Sequence, residues 1–140
     1  MKKLLALALA SAMVLSLAAC GSKDQPSGSQ SSGSSSSGDK VVKIGVFEPA
    51  TGDSASGGKK EMLGMQYANA QTPTVEVGGQ TYQVELVYGD NGSDQSKAPS
   101  AASQLVSAGV SIVLGSYGSG VSMAGGPIFN DAGLAAMGVT

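Results

Sequence analysis

The stretch Val41-Val42-Lys43-Ile44-Gly45-Val46-Phe47 decides the fold. It is apolar almost without interruption, rich in β-branched residues, and followed by Pro49, Gly52 and the pair Gly57-Gly58. A continuous apolar run, in place of strict alternation, marks a strand buried on both faces, as in parallel sheets covered by helices. A helix is expected next. From about Lys59 to Ala70 the residues Met62, Leu63, Met65, Tyr67 and Ala70 recur at three- and four-residue steps, which gives one apolar face, and Pro73 ends the pattern.

Further along, Gly78-Gly79 separates Val75-Glu76-Val77 from the strand-like run Thr81 to Tyr88, and such a pair predicts a hairpin because both glycines can take positive φ. Asp90-Asn91-Gly92-Ser93-Asp94 reads as a turn cluster. Ala98, Ala101, Ala102, Leu105 and Val106 then trace a second helix that starts at Ser96 or Lys97, since Pro99 is tolerated only in a first turn, and that stops at Gly109. Val110 to Leu114 is a third strand. A weak third helix, interrupted by Gly125-Gly126-Pro127, covers parts of Val121 to Ala132, and Leu134 to Val139 is a fourth strand. Right-handed β-α connections join these into an α/β fold, a doubly wound and mostly parallel sheet with an added β-hairpin.

Ahead of this domain the sequence changes character. Lys2-Lys3 and the apolar run that follows read as an export signal over residues 1–19, too short for a stable span. Its ending, Leu17-Ala18-Ala19-Cys20, matches the bacterial lipobox, in which the cysteine is acylated and becomes the first mature residue. Acyl chains on Cys20 would anchor the protein to the extracytoplasmic face of the cell membrane without spanning it. Residues 21–39 hold nine serines and four glycines and no aliphatic or aromatic side chain, so residues 20–40 are expected to be a flexible tether. Residues 41–140 remain as one small domain.

Composition removes whole classes of function. The 140-residue chain has no histidine, no tryptophan, no arginine and one cysteine, so it cannot build a His-containing zinc site, a Ser-His-Asp triad or an internal disulfide. From Val41 onward four lysines face eight carboxylates, a net charge of −4, which leaves no basic stripe for nucleic acid but suits a small neutral or zwitterionic ligand. No cofactor and no metal are expected. Glu48 and Asp53 are close in sequence but read as a solvated rim, and Met62, Met65, Met123 and Met137 fall at apolar core positions.

Ligands of open α/β sheets bind beyond the carboxyl ends of the strands, which selects the loops after Phe47, Tyr88, Leu114 and Val139. The loop Glu48 to Lys59 misses the P-loop pattern by one residue and reads as a small mobile rim, with Lys60 where a hydroxyl would be needed. The loop Gly115-Ser116-Tyr117-Gly118-Ser119-Gly120 is more informative. Its glycines allow close backbone approach, and Ser119 falls at a helix start, where free N–H groups and the dipole favour a carboxylate. The same residues can equally make a tight turn with Ser119 as an ordinary N-cap.

Taken together, Lys43-Ile44-Gly45-Val46, Thr51-Gly52, Gly57-Gly58 with Gly64, Leu105-Val106 before Gly109-Val110, and Val113-Leu114-Gly115 resemble the N-terminal lobe of the leucine/isoleucine/valine-binding family, of the type I periplasmic-binding fold. The resemblance implies a two-lobed, non-enzymatic clamp that captures a branched-chain type amino acid outside the cytoplasm and delivers it to the permease subunits of an ABC importer. It places Ser119, framed by Gly118 and Gly120, on the ligand carboxylate, and makes Thr140 the start of a second group of contacts. Where family members carry an aromatic residue over the ligand this sequence has Gly57, and Glu48 replaces a small residue. The second lobe is absent from these 140 residues, so an incomplete lobe is expected. A binding protein for amides, urea or another small polar solute, and a lipoprotein sensor without transport, are the alternatives.

Overall fold

The structure, a computed structural model, describes residues 40–139. The expected export signal, the lipidation site Cys20, the tether up to residue 39, and Thr140 lie outside the described residues. Five strands form one sheet in the order β2-β3-β1-β4-β5. They are β1 (Val41–Val46), β2 (Thr74–Val77), β3 (Gln80–Tyr88), β4 (Ile112–Leu114) and β5 (Ala136–Met137). β1 lies between β3 and β4 and is parallel to both, with Ile44 opposite Leu86 on one side and Ile112 on the other. β5 is parallel to β4, and β2 is the antiparallel arm at the edge. The hairpin turns on Gly78 and Gly79, both at positive φ, as the pair predicts.

The helices are α1 (Ala55–Gln71), α2 (Ala98–Ser107) and α3 (Ser119–Asp131). Right-handed crossovers fix their sides. The step from β1 to β3 carries α1 to one face, while the steps from β3 to β4 and β4 to β5 run the opposite way and carry α2 and α3 to the other. The core lies on this second face. Leu105, Ala98, Ala101 and Ala102 of α2 pack with Val121 and Phe129 of α3 against Phe47, Val110 and Val113, all buried. The Phe47 and Phe129 rings meet edge to face at 5.2 Å between centroids.

The α1 face is thinly covered. α1 begins four residues before the expected start, so Gly57 and Gly58 belong to its first turn and not to the preceding loop. Gly58 is there because the turn lies on Pro49, whose oxygen would stand 2.4 Å from a Cβ. Leu63 and Tyr67, expected on the buried face, are 65% and 68% exposed. Gly58, Glu61, Met62, Met65 and Asn69 turn inward instead, a stripe that hydrophobicity alone does not mark. Between α1 and Ile44, Val84, Leu86 and Leu114 runs an apolar groove of about 690 Å³.

Two further expectations fail. α3 is continuous through Gly125-Gly126-Pro127, because Gly125 admits the Phe47 ring and packing against α2 holds the helix together. Met123 and Met137 are exposed, since α3 buries Val121, Gly125 and Phe129 in their place and β5 lies at the sheet edge.

A Cβ on Gly125 would meet the Phe47 ring at 2.7 Å, whereas one on Gly64 of α1 would meet nothing within 4 Å. Urea denaturation should therefore show Gly125→Ala destabilised by about 1–3 kcal/mol through overpacking. Gly64→Ala should be stabilised by about 0.5–1 kcal/mol through helix propensity. Equal effects at the two sites would contradict this account of α3.

Candidate functional site

The carboxyl ends of β1, β3 and β4 converge, and the segment Asp90-Asn91-Gly92-Ser93-Asp94 after β3 ties their loops together. Asp and Asn side chains readily bond to backbone two residues on, and here three do so in succession. Asp90 Oδ1 accepts from Gly92 N (2.9 Å), Asn91 Oδ1 from Ser93 N (3.1 Å) and Asp94 Oδ1 from Ser96 N (2.8 Å). What remains of each side chain reaches outward. Asp90 also accepts from the N–H groups of Ala50 and Thr51 and from the Thr51 hydroxyl. The Ser93 hydroxyl accepts from Ser54 N at the start of α1 and donates to Thr51 O. Asn91, fully buried, donates through Nδ2 to Phe47 O (3.1 Å) and to the Ser116 hydroxyl (2.9 Å).

The loop from Glu48 to the start of α1 is thus held by side chains of another loop, where the sequence reads as a mobile rim. Glu48 itself is 1% exposed, which overturns its reading as a solvated rim. Its Oε2 accepts from Tyr117 N at 2.8 Å. Burial pushes the Glu48 carboxyl up to about 7; the Tyr117 N–H opposes this and the neighbouring Glu61 carboxyl adds to it. Asp53, by contrast, is exposed, so the two do not come together, and among the described residues no cluster could hold a metal ion.

The loop between β4 and α3 presents the expected ligand residues. Gly118, at φ 109°, is the N-cap of α3, and Ser119 is its first residue, so Ser119 is not the cap. No side-chain hydrogen bond caps this helix, and Ser119 is exposed. The first-turn N–H groups and the Ser119 hydroxyl therefore remain available for an anion. The start of α3 borders a polar cleft of about 610 Å³ lined by Gly118, Gly120 and Val121 together with Asp53, Ser93, Gln95 and Tyr117; Ser119 lies between two of these residues but does not itself line the cleft. The Tyr117 ring lies on α1 at Gly57, where a Cβ would come within 2.7–3.0 Å of three ring atoms.

Asn91, Ser93, Gln95 and Tyr117 escape the sequence reading. The signal available for the first two is the Asp90-Asn91-Gly92-Ser93-Asp94 turn cluster shortly after a strand end; nothing in the sequence marks Gln95 or Tyr117.

The two carboxyl shifts oppose each other. Partial burial pushes Asp90 up, but the Thr51 hydroxyl and the Gly92, Ala50 and Thr51 N–H groups outweigh it and hold the carboxyl below its ordinary 3.8. Its contribution is present above that value and is lost as pH falls through the lowered one. The Glu48 contribution is present below 4.5 and is lost as pH rises through about 7. Urea melts should show stability greatest in mildly acid solution and falling by roughly 1–2 kcal/mol toward pH 8, a decline that Glu48→Gln removes. A Glu48→Gln profile parallel to the parent would refute the assignment. Asn91→Ala should cost about 2–4 kcal/mol at any pH by stranding Phe47 O and Ser116.

The chain is similar in sequence and fold to known proteins. Residues 41–140 match the sequence profile of the periplasmic binding proteins. A Leu/Ile/Val-binding protein homolog of Brucella abortus is 33% identical over 93 residues, 66% of this chain and 25% of that protein. The branched-chain amino acid transporter substrate binding protein LivJ of Streptococcus pneumoniae, solved with isoleucine, superposes with a TM-score of 0.62 at 29% identity, over 71% of this chain and 28% of LivJ. A solute binding protein of an ABC transporter from Rhodopseudomonas palustris, solved with benzoate, gives 0.60 at 26% identity, over 70% and 27%. The chain spans about a quarter of the length of the curated relatives it matches. It belongs to the periplasmic binding protein family, and its coverage of about a quarter of these relatives fits an N-terminal lobe.

Proposed function

We propose that this lobe is one wall of a solute-binding clamp for an ABC importer, that its ligand is a free amino acid of the branched-chain type, and that it carries out no reaction. The observation that carries the reading is the uncapped start of α3 bordering the polar cleft. An α-carboxylate placed there accepts from backbone N–H groups and from Ser119, with open space at Gly118, while the space beside Gly120 is taken by the Gln95 amide. Isoleucine and benzoate, named with two of the similar structures, are both carboxylates. Asp53 and Asp94 also line the cleft. Two carboxylates in the cleft that a helix N-terminus borders complement a zwitterion, and this favours an amino acid over a benzoate-like anion or an uncharged amide. Thr140, one residue past the described part, is proposed to continue the contacts.

Calorimetric titration of the protein carrying this lobe should show heat with leucine, isoleucine or valine, and Ser119→Ala should weaken binding by roughly 1–3 kcal/mol, the cost of unpaired polar groups. Heat with benzoate or an amide but none with these amino acids would overturn the ligand class, and unchanged affinity in Ser119→Ala would remove the serine from the site. Cys20 is proposed to carry the lipid that holds the protein on the extracytoplasmic membrane face, beside its permease partner. In cells, Cys20→Ser should abolish palmitate labelling and release the protein from the membrane fraction; retention of both would refute the anchor.

A further inference from the structure

Glu48 presents a problem that the binding reading leaves untouched. A carboxyl 1% exposed needs a counter-charge or a proton. The groups facing it are the Glu61 carboxyl on α1, the Tyr117 N–H on the β4–α3 loop, and, around a small cavity of about 270 Å³, Tyr88 and Asp90 at the end of β3. No lysine lines that cavity among the described residues, and Asp90 is occupied by its own four donors. Glu48 Oε2 holds Tyr117 N, while Oε1 receives no N–H or hydroxyl and faces Gly115, where a Cβ would come within 2.6 Å. A proton on Glu48 is what satisfies this arrangement.

Glu61 stands one helical turn after Gly57, the seat of the Tyr117 ring. α1 therefore meets the loop twice, at the ring and through Glu61, Glu48 and the Tyr117 N–H. We propose that the buried Glu48 carboxyl, set against Glu61, is a positioning device for Tyr117, whose ring stands against Gly57 in the cleft while Glu48 is protonated and withdraws when Glu48 is ionised. A carboxylate ionised beside the Glu61 side chain in a water-poor setting is unfavourable, and because α1 is held at its first turn by Pro49 against Gly58 and by Ser93 on Ser54 N, the loop that carries Tyr117 is the part that yields. The inference deepens the binding reading, because Tyr117 lines the cleft, but its test uses no ligand and stands or falls separately.

The test is amide NMR of the ¹⁵N-labelled chain across about pH 5 to 8.5, a range set by the midpoint of about 7 for Glu48. The Tyr117 amide proton and the Gly57 amide should titrate together with a midpoint near neutrality. Glu61→Gln should lower that midpoint measurably by replacing the neighbouring carboxyl that hydrogen-bonds to Glu48 and repels its ionised form. Glu48→Gln should abolish the titration and keep the Tyr117 amide protected from exchange, since the amide oxygen still accepts. A Tyr117 amide flat with pH in the parent, or an unchanged midpoint in Glu61→Gln, overturns the proposal. A residue that merely filled space would move neither.

Discussion

The architecture of the cleft depends on one buried amide. Asn91, fully buried at the end of β3, donates to Phe47 O, beyond β1, and to the Ser116 hydroxyl, beyond β4. Each of these strands ends in an independent loop, and nothing in strand pairing fixes how those loops sit relative to one another. Side-chain bonds must do so. Each such bond has a modest net worth, but a stranded buried partner costs about 1–3 kcal/mol. The arrangement is therefore specified more by what would be lost on rearrangement than by what any bond contributes. Asp90 and Ser93 extend the same logic to the first loop and the start of α1.

This cross-linking matters because the two faces of the sheet are unequal. On one, α2 and α3 enclose a closed core around Phe47, Leu105 and Phe129. On the other, α1 leaves an apolar groove open along Ile44, Val84, Leu86 and Leu114. A helix so thinly packed would be a poor base for a binding loop if packing were all that held it. It is held at its N-terminal end instead, by Pro49 against Gly58, by Ser93 on Ser54 N, and by the Tyr117 ring on Gly57. The stability of α1 is concentrated where the cleft is, and its far end carries exposed Leu63 and Tyr67.

The same asymmetry explains which parts of the molecule were legible in the sequence. Alternation of strand and helix, the Gly78-Gly79 hairpin and the placement of the ligand loop at a strand end all follow from local pattern, because each depends on residues a few positions apart. The buried stripe of α1 does not, since Gly58 and Glu61 face inward for reasons that lie in Pro49 and Glu48, distant in the chain. Glu48 misleads in the same way: a lone carboxylate in a Pro/Gly-rich loop resembles a solvated rim until the loop after β4 closes over it. α3 persists through two glycines and a proline because its packing on α2 and Phe47 outweighs a propensity that argues against a helix. Asn91 carries no sequence mark separating it from an ordinary turn residue; what distinguishes it is depth.

The charge pattern of the cleft follows from the composition. With no arginine in the chain and no lysine among the cleft-lining residues, an anion must be held by neutral donors, the N–H groups of α3 and the Ser119 hydroxyl. Such donors are fixed by the backbone and need no counter-charge of their own, so one carboxylate is accommodated without attracting a second. Asp53 and Asp94 line the same cleft, Asp94 already accepting from Ser96 and lying near Lys97, and their charge favours an ammonium group over additional acidic groups. On the proposed reading, a ligand with one carboxylate and one ammonium suits this half-cleft, whereas a dicarboxylate meets repulsion and a simple amine finds no partner at the helix. The space around Tyr117, set by the absence of a Cβ at Gly57, is then left to discriminate the side chain of the proposed ligand.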